Sequence, residues 1–311
     1  MAPATVSVVL PVHNRPTVVI EALQSVSAQT HPPRCVVVVD DGSTDRTAEA
    51  VQQWLDGEGA ALNAKLIRQE NQGVAAARNH GAQAADATEL LAFLDSDDIW
   101  PRDYLQRAAE ALAAQPRAAA ASADRLSIDK KSGEQHLDRR AWVEASDITA
   151  RIFMHGPPGL SNSVYRRAAF DEVGGYDPAM RCGEEDYHMH LRVSLLGAWL
   201  HLPGEPVRYR QHTVDSPDPQ QQLSRRCQDR RLRLARMMER FVEQEGGAQA
   251  MAGSAWRRRL GRVWHSAGRQ LRKLERPDEA AACFERAVAW APWHLRARLS
   301  RAMLSGAAER P

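Results

Sequence analysis

Three short acidic runs hold the residues best suited to chemistry: Asp95-Ser96-Asp97-Asp98, Asp40-Asp41-Gly42-Ser43 and Gly183-Glu184-Glu185-Asp186. On extended backbone, alternate side chains point the same way, so Asp95 and Asp97 can share one divalent cation or a cation-bound diphosphate. Hard oxygen donors of this kind suit Mg2+ or Mn2+, which keep several waters and bridge substrate phosphates. The competing reading of a lone D-x-D is a turn or a helix cap. An aspartate that ends a strand, such as Asp40 or Asp41, can accept hydrogen bonds from a base N–H or ribose hydroxyls, and Gly42 lets the chain turn close to a ligand. For Ser43, Thr44 and Asp45, helix capping is an equal alternative. At Glu184–Asp186 the dipole of a starting helix favours a carboxylate, but three in succession exceed what a cap requires. Their mutual repulsion should raise at least one pKa, which makes a usable general base.

These runs need elements to position them. Val6–Leu10 is continuously apolar and predicts a strand buried on both faces, ended by Pro11–Pro16. Val19, Ile20, Leu23 and Val26 then follow the helical period. Cys35–Val39, Lys65–Arg68 and Leu90–Leu94 read as strands, with helices from Thr47 to Leu55 and from Val74 to Ala85 between them. This alternation predicts an α/β fold with a parallel sheet covered by helices. In such sheets ligands bind beyond the carboxyl ends of the strands, where Pro11–Asn14, Asp40–Asp45 and Asp95–Asp98 all begin. After Pro116 the pattern weakens to a strand at Ser161–Tyr165, a turn at Gly174–Pro178, a helix at Glu185–Leu196 and a strand at Val207–Gln211. The polar, proline-punctuated stretch Ser216–Gln222 sets a boundary between residues 1–219 and 220–311.

The second part reads as all-helical. Trp264, Gly268, Leu271, Ala280, Phe284, Ala287 and Pro292 fall at the positions of one tetratricopeptide-like repeat over about 261–294. A single repeat cannot bury its own face, so the preceding helix and Leu295–Leu304 are expected to cap it.

Composition narrows the class. With 311 residues, 43 % of them apolar and 26 % charged, the chain has material for a buried core, which argues against wholesale disorder or a collagen-like repeat. It holds no run of ~18 apolar residues and no basic, apolar leader at Met1–Thr5. The four cysteines lie far apart, without a C-x-x-C pair, and read as reduced thiols of a cytoplasmic protein. The net charge of +2 hides an asymmetry: residues 1–219 carry 21 Lys and Arg against 30 Asp and Glu, residues 220–311 carry 20 against 9. The acidic part suits metal cations. The basic part suits a protein partner or peripheral contact with an anionic membrane, for which Trp256-Arg257-Arg258-Arg259, Arg262, Trp264 and Arg269 are fitting residues. Attraction between the two parts, or an arginine-rich genome that biases the count, is an equal alternative. No nucleic-acid-reading module is present, so no nucleic acid partner is expected.

Taken together, Val6–Asn14, Val39–Asp45, Asn71–Gly81, Phe93–Asp98 and Glu184–Tyr187 resemble the family 2 inverting glycosyltransferases over about residues 5–215. The resemblance implies a GT-A fold, Rossmann-like with a mostly parallel sheet flanked by helices, and a nucleotide-diphospho-sugar donor. It implies that Pro11, His13 and Asp41 hold the nucleotide with Asp40 nearby, and that Arg78 meets the diphosphate or base side. Asp95 and Asp97 would bind Mn2+ or Mg2+, Asp97 most directly, with Asp98 in support. Asp186, beside Glu185, would be the catalytic base, and His212 would reach the metal or diphosphate. His13 stands where the family usually has tyrosine, which keeps base stacking and puts the tyrosine's hydrogen bond in question. The reaction implied is one inverting displacement onto a hydroxyl of a glycan, lipid-linked or protein acceptor. The other readings are a catalytically silent nucleotide-sugar-binding scaffold, which has no need of both acidic motifs, and nucleotidyl transfer, which wants a glycine-rich loop that Pro11–Pro16 lacks.

Overall fold

The computed structural model describes residues 3–129, 133–139, 141–211 and 227–300. Its first half alternates β1 (Val6–Val12), α1 (Val18–Ser27), β2 (Cys35–Asp41), α2 (Thr47–Asp56), β3 (Ala64–Gln69), α3 (Val74–Ala84) and β4 (Leu90–Phe93). After α4 (Tyr104–Ala114) come β5 (Ala118–Asp129), β6 (Gln135–Asp138), α5 (Ile148–His155), β7 (Ser163–Arg166), α6 (Arg167–Glu172), α7 (Glu185–Val193) and β8 (Ala198–Gln211). All eight strands form one sheet in the order β3-β2-β1-β4-β7-β5-β6, with β8 paired to β5. The first four strands are parallel, as the alternation predicts. β7 then joins β4 and β5 antiparallel, and β8 runs parallel to β5.

Every residue of β1 and β2 is buried, because helices cover both faces and a valine run satisfies both at once. Pro11 sits in central β1 without breaking the ladder. The backbone of Val9 bonds the β4 side through Leu94 N–H, and Pro11, two residues on, faces the same side beyond the end of β4. Helix α3 lies unusually close to the sheet at Gly81. A Cβ there would stand 2.4 Å from Val9 Cγ1 and 3.0 Å from Val39 Cγ2.

The chain continues as α8 (Arg230–Gln244), α9 (Gly247–Ala250), α10 (Ala255–Lys273) and α11 (Pro277–Trp290). α10 and α11 form an antiparallel hairpin with small residues at the crossings. A Cβ on Gly268 would meet the Phe284 ring at 2.6 Å, and one on Gly261 would meet Ala291 Cβ at 2.6 Å. Trp264, Leu271, Ala280, Phe284 and Ala287 are all buried, and α8 packs against α10. Of the segment Leu295–Leu304, Ala297 is buried in the shared core while Leu295 and Leu299 are at least half exposed, and residues 301–304 lie outside the described residues. One apolar cluster runs from Val9 and Phe93 through Tyr187 and Phe241 to Trp264 and Phe284, so helices and sheet share a core. The boundary read at Ser216–Gln222 and the candidate ligand His212 lie outside the described residues. Among the described residues no helix is long and apolar enough to cross a membrane.

One expectation is overturned. Cys182 and Cys227 form a disulfide, with Cα atoms 5.8 Å apart and 45 residues between them in sequence. The pairing leaves no spacing motif because it is made only when the start of α8 folds back onto the loop before α7. Cys35 and Cys283 are buried free thiols, as expected.

Candidate active site

β2 ends in two aspartates with different duties. The Asp40 carboxylate is buried; it accepts Ser43 N–H at 2.9 Å and pairs with Arg68 Nε at 3.2 Å. It therefore shapes the turn. Asp41 organises the next loop across the sheet. Its Oδ1 accepts Gln69 Nε2–H at 2.8 Å and Gln72 N–H at 2.9 Å, and its Oδ2 accepts Gly73 N–H at 2.9 Å. Three of its ~four acceptor positions are thus taken, leaving one for a ligand. Gly42, at φ 75°, lets the two loops touch, since a Cβ would stand 2.8 Å from Asn71 N.

His13, exposed just past β1, donates from Nδ1 to the Asp41 carbonyl at 2.9 Å and accepts Asn14 Nδ2–H at Nε2 at 3.2 Å. The ring is thereby fixed beside Asp41. Ser43 Oγ accepts Asn14 N–H and Thr44 N–H donates to Asn14 Oδ1, both at 2.9 Å. Asp45 accepts Thr47 N–H at 2.9 Å and so shapes the turn that leads into α2.

Arg78, in α3, is the centre of the acidic constellation. It is 2 % exposed; its Nη1 donates to Asp186 Oδ1 at 2.6 Å and lies 3.5 Å from Glu185 Oε1, while its Nη2 donates to Asp95 Oδ1 at 2.8 Å. Its guanidinium also stands 5.2 Å from the centre of the Tyr176 ring. Burial opposes the Arg78 charge, but Asp186, Asp95, Tyr176 and Glu185 outweigh it and hold its proton more tightly than usual. The sequence reading has Arg78 facing the donor; here its two terminal nitrogens are committed to carboxylates of the site.

Asp186 stands in the first turn of α7 with its side chain 25 % exposed. Burial raises its carboxyl, Arg78 pulls the other way, and negative Glu185 and Asp95 add to the rise, leaving the group pushed up to about 8. Asp97 is bridged at 2.7 Å by Arg15 Nη1. Asp98 is buried, and burial followed by the charges of Asp97 and Asp95 lifts its carboxyl well above the usual range. Asp95 and Asp97 offer hard carboxylate oxygens two residues apart at the end of β4, and this donor chemistry fits a divalent cation. Among the described residues no three or more His, Cys, Asp or Glu converge as a ready-made metal cage. Mg2+ and Mn2+ are ordinarily held by one or two carboxylates with phosphates and water.

Asp95, Asp98 and Asp186 line one cleft of about 670 Å³, together with Arg125, Tyr209 and Arg230. Asp41 and Asp97 do not line it; they sit on the Gly73 and Arg15 sides of the same sheet edge. Sequence reasoning missed Arg15, the lone cation of the Pro11–Pro16 loop. It also passed over Tyr209, read only as part of the strand Val207–Gln211, and Arg125, whose guanidinium lies 4.8 Å from the Tyr209 ring centre and pairs with Asp138 at 3.1 Å.

With this geometry established, the class of the protein follows. Residues 7–174, more than half of the chain, match the family described as Glycosyl transferase family 2, and the chain belongs to that family. It is 34 % identical over 209 residues to the succinoglycan biosynthesis protein ExoU of Rhizobium meliloti, covering 63 % of this chain and 59 % of that one. It is 33 % identical over 178 residues to an uncharacterized glycosyltransferase of Nostoc sp., covering 56 % and 54 %. The chain thus spans less than two thirds of either relative. In fold it is similar to the mannosyltransferase PcManGT from Pyrobaculum calidifontis, solved in complex with GDP-Man and Mn2+, with a TM-score of 0.62 at 20 % identity over 99 % of this chain and 81 % of that one. The mixed sheet with flanking helices is the GT-A arrangement.

Proposed function

We propose that this chain is a metal-dependent inverting glycosyltransferase, moving a sugar from a nucleotide-diphospho-sugar to an acceptor hydroxyl. The observation that carries the reading is the Asp186 carboxylate at the cleft, tied through Arg78 to Asp95 at the end of β4. Family membership and a fold neighbour that holds GDP-Man and Mn2+ support it.

In this reading Pro11, His13 and Asp41 bound the nucleotide pocket, and Asp40 holds the turn that presents Asp41. Asp97 and Asp95 would hold Mn2+ or Mg2+, with Asp98 behind them and His212 a further candidate ligand on the resemblance alone. A bound cation of this kind neutralises the charge that develops on the departing nucleoside diphosphate. Arg78 occupies Asp186 Oδ1 and fixes the orientation of the carboxylate. Asp186 Oδ2 then takes the proton of the acceptor hydroxyl as its oxygen attacks the anomeric carbon opposite the leaving group. Glu185, in contact with the same guanidinium, keeps the proton affinity of Asp186 high. One displacement inverts the anomeric centre. Residues 220–311 are read as a helical extension built on one tetratricopeptide-like repeat.

A panel of nucleotide-sugars assayed for nucleotide release, with Mn2+ and with a chelator, tests this. One donor should turn over, stop with chelator and recover with added Mn2+. Release from no donor refutes the transferase, and turnover indifferent to chelator refutes the metal.

A further inference from the structure

We infer that the C-terminal hairpin is a docking surface for an anionic lipid bilayer, through the face where Arg258 and Arg262 stand beside Trp293, with Arg269 further along the same stripe and Leu295 and Leu299 exposed just after it in sequence. This goes beyond the transferase reading and does not depend on it. Helix α10 carries no Asp or Glu in its 19 residues. Arg258, Arg262, Arg269 and Lys273 recur at steps of four, seven and four, which places them on one stripe of the helix. All four are exposed, while Leu260, Trp264 and Leu271 on the opposite side are buried in the core.

The second observation is independent. The three most exposed large apolar side chains among the described residues are Trp293, Leu295 and Leu299, at 59 %, 65 % and 50 %. The two features adjoin. Arg258, Arg262, Trp293 and His294 line one cavity of about 370 Å³, and His294 lies 5.0 Å, ring to ring, from His265 of α10. Burial, and then the positive charge of His294, Arg269, Arg296 and Arg272, push the His265 ring down to about 4, which reports the local positive field.

A basic stripe alone would suit any polyanion, and an apolar patch alone any apolar partner. Arginines bordering exposed tryptophan and leucine suit the interface of a bilayer with negative headgroups, where stems and rings enter the acyl boundary and guanidinium groups meet phosphates. Charge complementarity decides for that occupant, since α10 carries seven Lys and Arg and no Asp or Glu. The face also borders the cleft: Met154 lines the smaller cavity and the next residue, His155, lines the larger one.

The test is sedimentation of the full chain with vesicles of phosphatidylcholine alone and of phosphatidylcholine mixed with phosphatidylglycerol. Binding is expected only to the anionic vesicles and should weaken with salt. Arg258→Ala and Arg262→Ala should each reduce partitioning about fivefold. Trp293→Ser should reduce it further, with the melting temperature and nucleotide-sugar turnover of all three variants unchanged. Arg269→Ala, an exposed substitution away from the cavity, repeats the measurement if one of these fails to fold. No binding, equal binding to both vesicles, or full binding by Trp293→Ser overturns the inference. So does a concentration-dependent dimer, formed without lipid and abolished by Trp293→Ser, which would assign the face to a second copy.

Discussion

Replacing Arg78 with methionine keeps most of the buried volume and removes the charge that joins three acidic side chains. Arg78 is 2 % exposed, with contacts of 2.6 Å to Asp186 and 2.8 Å to Asp95. Deleting one partner of a buried ion pair costs about 3–5 kcal/mol. Asp95 and Asp186 keep 30 % and 25 % exposure, which puts the expected loss near the lower end, ~3 kcal/mol. For a protein of this size that is a fall in Tm of about 5 °C. The pH dependence isolates the cause. The folded state holds the Asp186 proton up to about 8, whereas an ordinary aspartate releases it near 3.8. Between those values the native protein binds the extra proton, so stability falls as pH rises, by up to ~1.4 kcal/mol per unit. Above 8 this loss stops in the parent protein. Without Arg78 the carboxyl rises further and the loss continues. Denaturant unfolding at pH 6.5 and 9 should therefore show a gap between parent and Arg78→Met that widens at the higher pH, with Arg78→Lys in between. A gap equal at both pH values, or below ~1 kcal/mol at both, refutes the idea that Arg78 holds Asp186 and Asp95 as charged partners.

The same geometry makes three other predictions. Asp186→Asn should lower turnover by ~10²–10⁴ while leaving the donor KM within a few-fold, and the parent's kcat/KM should climb with pH toward about 8 as the base ionises; a flat pH–rate profile would take Asp186 out of that role. Gly81→Ala should destabilise by ~1–3 kcal/mol, because its methyl would enter Val9, and a denaturant melt that matches the parent would show that α3 moves away freely. Reducing Cys182–Cys227 frees a loop of 45 residues and should cost ~4 kcal/mol in the chain-entropy account, visible as a lower Tm with dithiothreitol; an identical melt would mean the bridge contributes nothing.

The sequence was most legible where local pattern and tertiary environment agree. The valine runs of β1 and β2 and the polar turns after them announce a buried parallel sheet with loops at its carboxyl edge, and the structure has that sheet and those loops. Ala118–Asp129 opens with alanines, better helix formers than strand formers, and is nevertheless the strand that β7, β6 and β8 all pair with. Its state is fixed by neighbours distant in sequence, and no local window contains them. In the site, residue types pointed to carboxylates but not to how each is used. That Asp41 is largely taken up by the 69–73 loop, or that Arg78 faces Asp186, follows from loops crossing the sheet edge, and only coordinates bring those residues together.

The C-terminal helices illustrate the same limit and bear directly on the chemistry. Charge and periodicity mark residues 220–311 off from the rest, yet α8 holds the helix that carries Asp186 from several sides. Cys227 is bonded to Cys182, four residues before Asp186. Arg233 lies 3.9 Å from Glu184. Glu245 accepts His188 Nε2–H at 2.8 Å, a ring that burial keeps neutral, and pairs with Arg240, which also holds Asp177 at 2.8 Å. Arg230 lines the cleft itself. A change of charge on α8 therefore reaches Asp186 by a short route: Glu184 is its near neighbour in the acidic run, and His188 is the next inward-facing polar side chain of α7. The chain from Cys227 to Glu245 therefore packs and pairs with residues on both sides of Asp186.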